Sequence, residues 1–177
     1  TFYVYIMKKD WEIYTGNSDN WNNLIIKFHG QFRQLYEWGE YKEKLGWKVS
    51  RVIWLENEKI TSCAQILYRK KSFFCYAYIP GGLNGNFQQI TYGLGTLIKR
   101  ISKASFIYIR ADFTQSNNSI NKELLINSKW SQPSYSMHNG KFFVLDLNSS
   151  NEDLLKMAKQ KWRYHFTKSQ KKDCIFI

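Results

Sequence analysis

The alternation of apolar and polar positions divides the chain into short blocks. Residues 2–7 alternate aromatic and aliphatic side chains in the manner of a strand. "NSDNWNNLIIKF" sets Trp21, Leu24, Ile25 and Phe28 at helical spacing behind Ser18, the expected N-cap. A second helix is predicted over about 32–44, closed by Gly46 in a left-handed cap. "KVSRVIWLE", "ITSCAQILYR" and "SFFCYAYIP" are strand-like runs joined by short polar turns, the first at 57–59, and they predict an antiparallel meander. The loop "GGLNGN" precedes a predicted helix over about 87–102. "SFIYIRADF", rich in β-branched and aromatic residues, predicts a buried strand. After "TQSNNS" come a short helix near 120–127, a strand in "GKFFVLDL", and one long basic helix opened by a capping box of Ser149 and Glu152. Helices, a meander, a helix and further strands make an α/β (α+β) chain.

Composition sharpens this picture. At 177 residues the chain holds one domain, or one domain and part of another. With 44% hydrophobic and 18% aromatic residues it can build a real core, which excludes global disorder. The 26 Lys and Arg against 14 Asp and Glu give +12, an excess that implies nucleic acid, a phosphorylated small molecule or an acidic membrane surface. Cys63, Cys75 and Cys174 have apolar neighbours and no CxxC spacing. They read as buried thiols of a cytoplasmic protein, without a disulfide framework or a zinc site. No apolar run approaches the ~20 residues of a membrane span. "TFYVYIMKKD" puts its charge after its apolar stretch, the reverse of a signal peptide.

Few positions look chemical. "QQITYGLGTLIKR" approximates the Gln/Arg-x-x-Gly-x-Gly loop of acetyl-CoA-binding N-acetyltransferases, whose free N–H groups cradle pyrophosphate. Here Ile90 fills the Gln/Arg position, and Gly93 and Gly95 fall inside the predicted helix, so close helix packing is the preferred account. His29, His138 and His165 have neither a nucleophile setting nor metal-ligand spacing. Arg110 and Asp112 face one side of a strand end, where α/β proteins place chemistry; an ion pair and a functional role are equally open. In "EWGEYKEKLGWK", Lys42 and Lys44 lie between Trp38 and Trp47, on an ordinary helix face or on an aromatic floor that grips an anion. The last helix interleaves Lys156, Lys159, Lys161, Arg163, Lys168, Lys171 and Lys172 with Trp162, Tyr164 and His165, which suits a solvated face or phosphate and base contacts.

Taken in order across 34–173, "QLYEWGEYKEKLGWK", "AQILYRK", "YAYIPGG", "FIYIRADF" and "FFVLDLNSSNEDLLKMAKQKWRYHFTKSQKKD" resemble the Fem family. Its members are peptidoglycan bridge-forming aminoacyltransferases that use aminoacyl-tRNA. Lys161, Arg163, Tyr164, Lys168 and Lys171 match the family's basic motif, while His165, Ser169 and Asp173 depart from it. The resemblance implies N-acetyltransferase-like (GNAT-like) subdomains, each a mixed sheet flanked by helices: the first over 1–148, and the opening of a second over 149–177, with "CIFI" as its first strand. It therefore implies no transfer by these residues alone, and a terminal helix exposing Leu154, Leu155, Trp162 and Phe166 unless a second subdomain or self-association covers them. Lys42 is implied to contact phosphates of a UDP-linked or lipid-linked muropeptide, with Trp38 and Trp47 fixing its helix to the sheet and Gly81 and Gly82 in the substrate loop. Asp112 is the implied catalytic carboxylate and Arg110 its orienting partner; Ile107 stands where some relatives have an aromatic. Lys161, Arg163, Lys168 and Lys171 would serve the tRNA, with no cofactor or metal, in the cytoplasm or at the inner face of the membrane. A CoA-dependent N-acetyltransferase and a non-catalytic nucleic-acid-binding module are the alternatives.

Overall fold

A computed structural model describes residues 10–91, 93–113, 118–133, 146 and 148–170. The strand expected at 2–7, "GKFFVLDL" apart from Asp146, "CIFI", His138 and Lys171 lie outside the described residues. The chain forms two compact units, Thr1–Ser131 and Gln132–Ile177.

In the first unit, β1 (Trp11–Ile13), β2 (Lys48–Glu56), β3 (Lys59–Lys71), β4 (Phe74–Ile79) and β6 (Phe106–Ala111) lie side by side in that order, and β5 (Asn84–Gly85) pairs with β3. The meander β2–β3–β4 is antiparallel as expected, and its first turn places Asn57 and Glu58 at positive φ. β6 runs parallel to β4, which makes the sheet mixed. Helices cover both faces. On one, α3 (Leu94–Ser102) buries Leu94, Leu97 and Ile98 against Val52, Trp54, Ala64, Ile66, Cys75, Ala77 and Ile79. On the other, α1 (Ser18–Lys27) packs Trp21 and Ile25 on Cys63, and α2 (Tyr36–Lys44) lies across β2 and β3. The alternation along β3, Cys63 to one side and Ala64 to the other, follows directly from the period of two.

Several boundaries differ from the sequence expectation. Asn17, not Ser18, caps α1, its side chain accepting from Asn20 N at 2.9 Å. The second helix is split: a 3₁₀ turn, Phe32–Gln34, and then α2, with Leu35 extended between them. The helix expected over 87–102 is likewise a 3₁₀ turn, Phe87–Thr91, followed by α3, so Gly93 caps α3 at its mouth rather than lying inside it. β6 is not buried on both faces: Ile107 and Ile109 meet the core, whereas Phe106 and Tyr108 point to water. α4 (Ser119–Asn127) forms where expected, capped by Asn118.

α2 approaches the sheet through Gly39, where a Cβ would stand 2.4 Å from Gln65 Oε1 and 2.7 Å from Arg51 Nη2. The tryptophan beside it points elsewhere. Under α1, burial pushes the Cys63 thiol up to about 12. Alkylation at mildly alkaline pH should therefore spare Cys63 until denaturant is added. Mass-spectrometric labelling of the native Cys63 peptide would instead show that α1 opens readily from the sheet.

In the second unit, the expected single helix is two: α5 (Asn151–Met157) and α6 (Gln160–Gln170), broken at extended Ala158. Ser150 caps α5 by accepting from Asp153 N, one residue later than the expected box. The break leaves carbonyls unpaired by the helix, and Arg163 Nη1 donates to Lys156 O at 2.8 Å, placing a cation where the helix dipole favours one. Trp162 and Phe166 are exposed as expected; Leu154 and Leu155 are half-buried.

Candidate functional site

The site begins with an interruption in the sheet. After pairing with the far half of β3, the chain leaves β4 through Pro80, Gly81 and Gly82 and returns as β5 opposite Ser62 and Cys63. Gln65 of β3 faces the gap. Gln34 fills it: its side-chain Oε1 accepts from Gln65 N at 2.7 Å, and its Nε2 donates to Gln65 O at 3.2 Å and to Pro80 O at 2.6 Å. The carboxamide thus replaces one peptide group of the missing strand. Asn84 Nδ2 also donates to Gln34 Oε1, Trp21 Nε1 donates to Gln34 O, and Gln65 Nε2 donates to Arg33 O and Leu35 O. The 3₁₀ turn is pinned from several sides, and that fixes Arg33.

Arg33 projects to the carboxyl-terminal ends of β4 and β6. Its Nη1 lies 3.6 Å from Asp112 Oδ2 and donates to the Tyr78 hydroxyl at 3.4 Å, while Nη2 donates to Gln31 Oε1 at 3.1 Å. The Tyr78 hydroxyl donates to Asp112 Oδ2. Asp112 follows β6 directly, its N–H held by Ile79 O at 3.1 Å. Burial first, then the hydrogen bond and charge of Asp112, push the Tyr78 phenol well above its ordinary value, so it remains a donor at neutral pH. Gly82, at φ +77°, closes the cluster: a Cβ there would stand 3.0 Å from Asp112 O and 3.1 Å from Phe113 Cα. Gly81 borders Gln31 in the same way. The result is a partly buried carboxylate, its Oδ2 held by a phenol and a guanidinium, beside a loop that only glycine can bring so close.

Arg110 lies opposite Tyr78 in the β4–β6 register, two residues before Asp112, which follows the same strand. Besides Arg110, the partner expected from the strand face, Arg33 and Tyr78 both reach the Asp112 carboxylate. Sequence pattern gave neither, because they meet Asp112 across 79 and 34 positions of chain. The one available signal was the period of two along "FCYAYI", which sets Tyr76 and Tyr78 on the face opposite Ala77 and Ile79.

Lys42 resolves the question raised by "EWGEYKEKLGWK". Its Nζ stands 4.8 Å above the Trp38 ring and 5.5 Å from that of Tyr41, a cation on an aromatic floor. Trp38 does not fix α2 to the sheet, as the resemblance implied. Its half-buried ring meets Phe32 at 5.4 Å and Tyr41 at 5.7 Å. With Phe32, Leu35, Glu37 and Tyr41 it lines an open hollow of about 430 Å³. Trp47 does bind the sheet, against Tyr76 at 5.9 Å and beneath Arg69 at 4.5 Å.

Lys161, Arg163 and Lys168 are exposed on α6, in the second unit; Arg163 also caps α5, and Lys168 Nζ lies 5.7 Å from the Tyr164 ring. Gly93 opens α3, but Asp10 Oδ1 lies 3.1 Å from where its Cβ would stand, so a carboxylate borders that helix mouth. Among the described residues no group of three His, Cys, Asp or Glu could hold a metal ion, and no helix is long and apolar enough to cross a membrane.

No family model and no curated protein matches the sequence. Among solved structures, the chain is similar to one described as "Crystal structure of FemX", at 20% identity and TM-score 0.41, over 52% of this chain and 23% of that one. It is also similar to a possible acetyltransferase from Clostridium difficile 630, at 16% identity and TM-score 0.41, over 76% of this chain and 99% of that one.

Proposed function

We propose that the chain is part of an acyltransferase that moves an aminoacyl group from aminoacyl-tRNA to an amine of a peptidoglycan precursor. The observation behind this reading is the Asp112 carboxylate, held by Tyr78 and Arg33 at the ends of two parallel strands beside a glycine loop. It fits the sequence resemblance, in which Asp112 falls at the family's carboxylate.

The chemistry asks for a base. An acceptor amine with a pKa near ~10.4 is neutral in only about one molecule in 2,500 at pH 7. Asp112, with the substrate's own phosphate as a second acceptor, takes the proton; the freed amine attacks the ester carbonyl of the donor. The C–N bond forms, the ester C–O bond breaks, and the departing ribose hydroxyl receives a proton. No acyl-enzyme is required. Tyr78 and Arg33 act as positioning residues that hold the carboxylate toward the acceptor. Lys42 contacts precursor phosphate from its aromatic floor, Gly81 and Gly82 admit the substrate to the loop, and Arg110 supplies further positive charge. Lys161, Arg163, Lys168 and Lys171 contact tRNA.

Lys42→Ala should weaken binding of UDP-muropeptide by about 10–100-fold, the equivalent of one charge-assisted contact of ~1.5–3 kcal/mol, and leave the melting temperature unchanged. Trp38→Ala should weaken the same binding and cost less stability than the ~3–5 kcal/mol of a fully buried ring. Calorimetry separates the two effects; normal binding by Lys42→Ala would reduce α2 to scaffold. A second reading, CoA-dependent acetyl transfer, is favoured by Gly93 at the mouth of α3 and opposed by Ile90 and by Asp10 beside that mouth. Micromolar binding of acetyl-CoA in the same instrument would put it first.

A further inference from the structure

At the end of β4 and β6 remote from Asp112, the structure builds a knuckle that the proposed reaction does not use. The β3–β4 turn brings Phe73 to the start of β6, where Phe73 O accepts from Ser105 N at 2.9 Å and Phe106 N at 3.0 Å. Lys70 Nζ donates to Lys103 O at 2.6 Å across the same junction. These bonds hold two phenyl rings, Phe73 and Phe106, edge to face at 5.9 Å. They are 61% and 64% exposed, so most of each ring meets water although the backbone beneath is fixed.

The surroundings are cationic. Lys70 and Lys71 end β3, Lys99 and Arg100 occupy the last turn of α3, Lys103 caps it, and all five are exposed. Between Glu58 and Asp112 the sequence contains no acidic residue at all, so nothing on these elements neutralises them. Solubility alone does not call for a fixed pair of exposed rings at a sheet end where so many cationic positions meet.

We infer that this knuckle docks on an anionic lipid surface, with Phe73 and Phe106 entering the interface and the cations meeting headgroup phosphates. Interfacial anchoring combines exactly these two features, projecting apolar side chains and a basic surround. A single-stranded nucleic acid is a poorer occupant, because bases stack on open ring faces, whereas these rings stand at 69° to one another and edge to face. A second copy is poorer still, because it would bring two like-charged surfaces together. β4 and β6, six residues each, span roughly 20 Å, so docking would hold Asp112 about that far from the bilayer along the strands. The inference stands independently of aminoacyl transfer.

The test is co-flotation of the whole chain with phosphatidylcholine vesicles, with and without phosphatidylglycerol. Binding should require the anionic lipid. The pair Phe73→Ser and Phe106→Ser should weaken partitioning by at least about tenfold, while Phe73→Leu with Phe106→Leu keeps it. Each of Lys71→Glu and Lys99→Glu should weaken it by about fivefold or more. Exposed positions leave the fold intact, which circular dichroism checks, and the leucine pair tests the idea even if the serine pair does not fold. Equal partitioning of wild type and the serine pair would overturn the inference. So would binding that ignores phosphatidylglycerol, or a serine pair that loses oligonucleotide binding or self-association instead of lipid.

Discussion

Gln34→Leu should destabilise the first unit by about 3–6 kcal/mol, enough to leave a domain of ordinary stability barely folded at 37 °C. Leucine fills the volume, so the loss is not a cavity. It strips the Gln34 partner from Gln65 N–H, Gln65 C=O and Pro80 C=O, all in the gap between β4 and β5 where water does not reach, while Asn84 Nδ2 keeps Cys63 O as an acceptor. Each orphaned buried group costs about 1–3 kcal/mol, and they are orphaned together. Gln34→Glu gives the sharper control. Its shape and acceptor are retained, but the ionised carboxylate cannot donate to the two carbonyls. The protonated form can donate its single O–H to one of them, which raises the folded pKa above the unfolded one. The variant's stability should therefore be best in acid and fall as the pH rises through the carboxyl range. Urea denaturation at several pH values reads both results. A Gln34→Leu protein as stable as wild type would mean that the gap closes by ordinary strand pairing.

That glutamine also shows where sequence reading stops. The meander was legible because "KVSRVIWLE", "ITSCAQILYR" and "SFFCYAYIP" each follow the strand period, and Asn57–Glu58 is a local turn. Lys42 on an aromatic floor was one of two open readings, because i and i+4 share a helix face, and the resemblance pointed instead to Trp38 as a helix anchor. Gln34 was not legible, because a polar residue in "QFRQLYEW" normally faces water, and only the gap between two strands distant in sequence makes it buried. The helix breaks at Leu35 and Ala158 were missed for a related reason. Neither Gly nor Pro marks them; tertiary bonds to Gln65 and from Arg163 supply what the interrupted helices lose. Strand periodicity singled out Asp112 as a candidate, yet Arg33 and Tyr78, which reach it from far along the chain, lay beyond any local pattern.

Asp112→Asn should lower the rate of aminoacyl transfer by about a hundredfold, at the lower end of what general acid–base groups contribute, and leave stability nearly unchanged. The amide keeps the shape and still accepts from Tyr78, so the fold survives; what disappears is the capacity to take a proton. Residual transfer is expected because a substrate phosphate shares that role. Tyr78→Phe gives a different signature. The phenol never titrates near neutrality, its ionisation being pushed up by burial and by Asp112, so its removal should not change the form of the pH–rate profile. It should lower kcat by about tenfold through a carboxylate that is no longer held, with KM little altered. Arg33→Lys keeps the charge but not the fork that spans Tyr78, Gln31 and Asp112, and should resemble Tyr78→Phe rather than wild type. The three variants therefore separate a carboxylate that accepts a proton from one that merely closes a strand end. Equal turnover in Asp112→Asn and wild type would assign it the second role, and the base would then have to be the substrate itself.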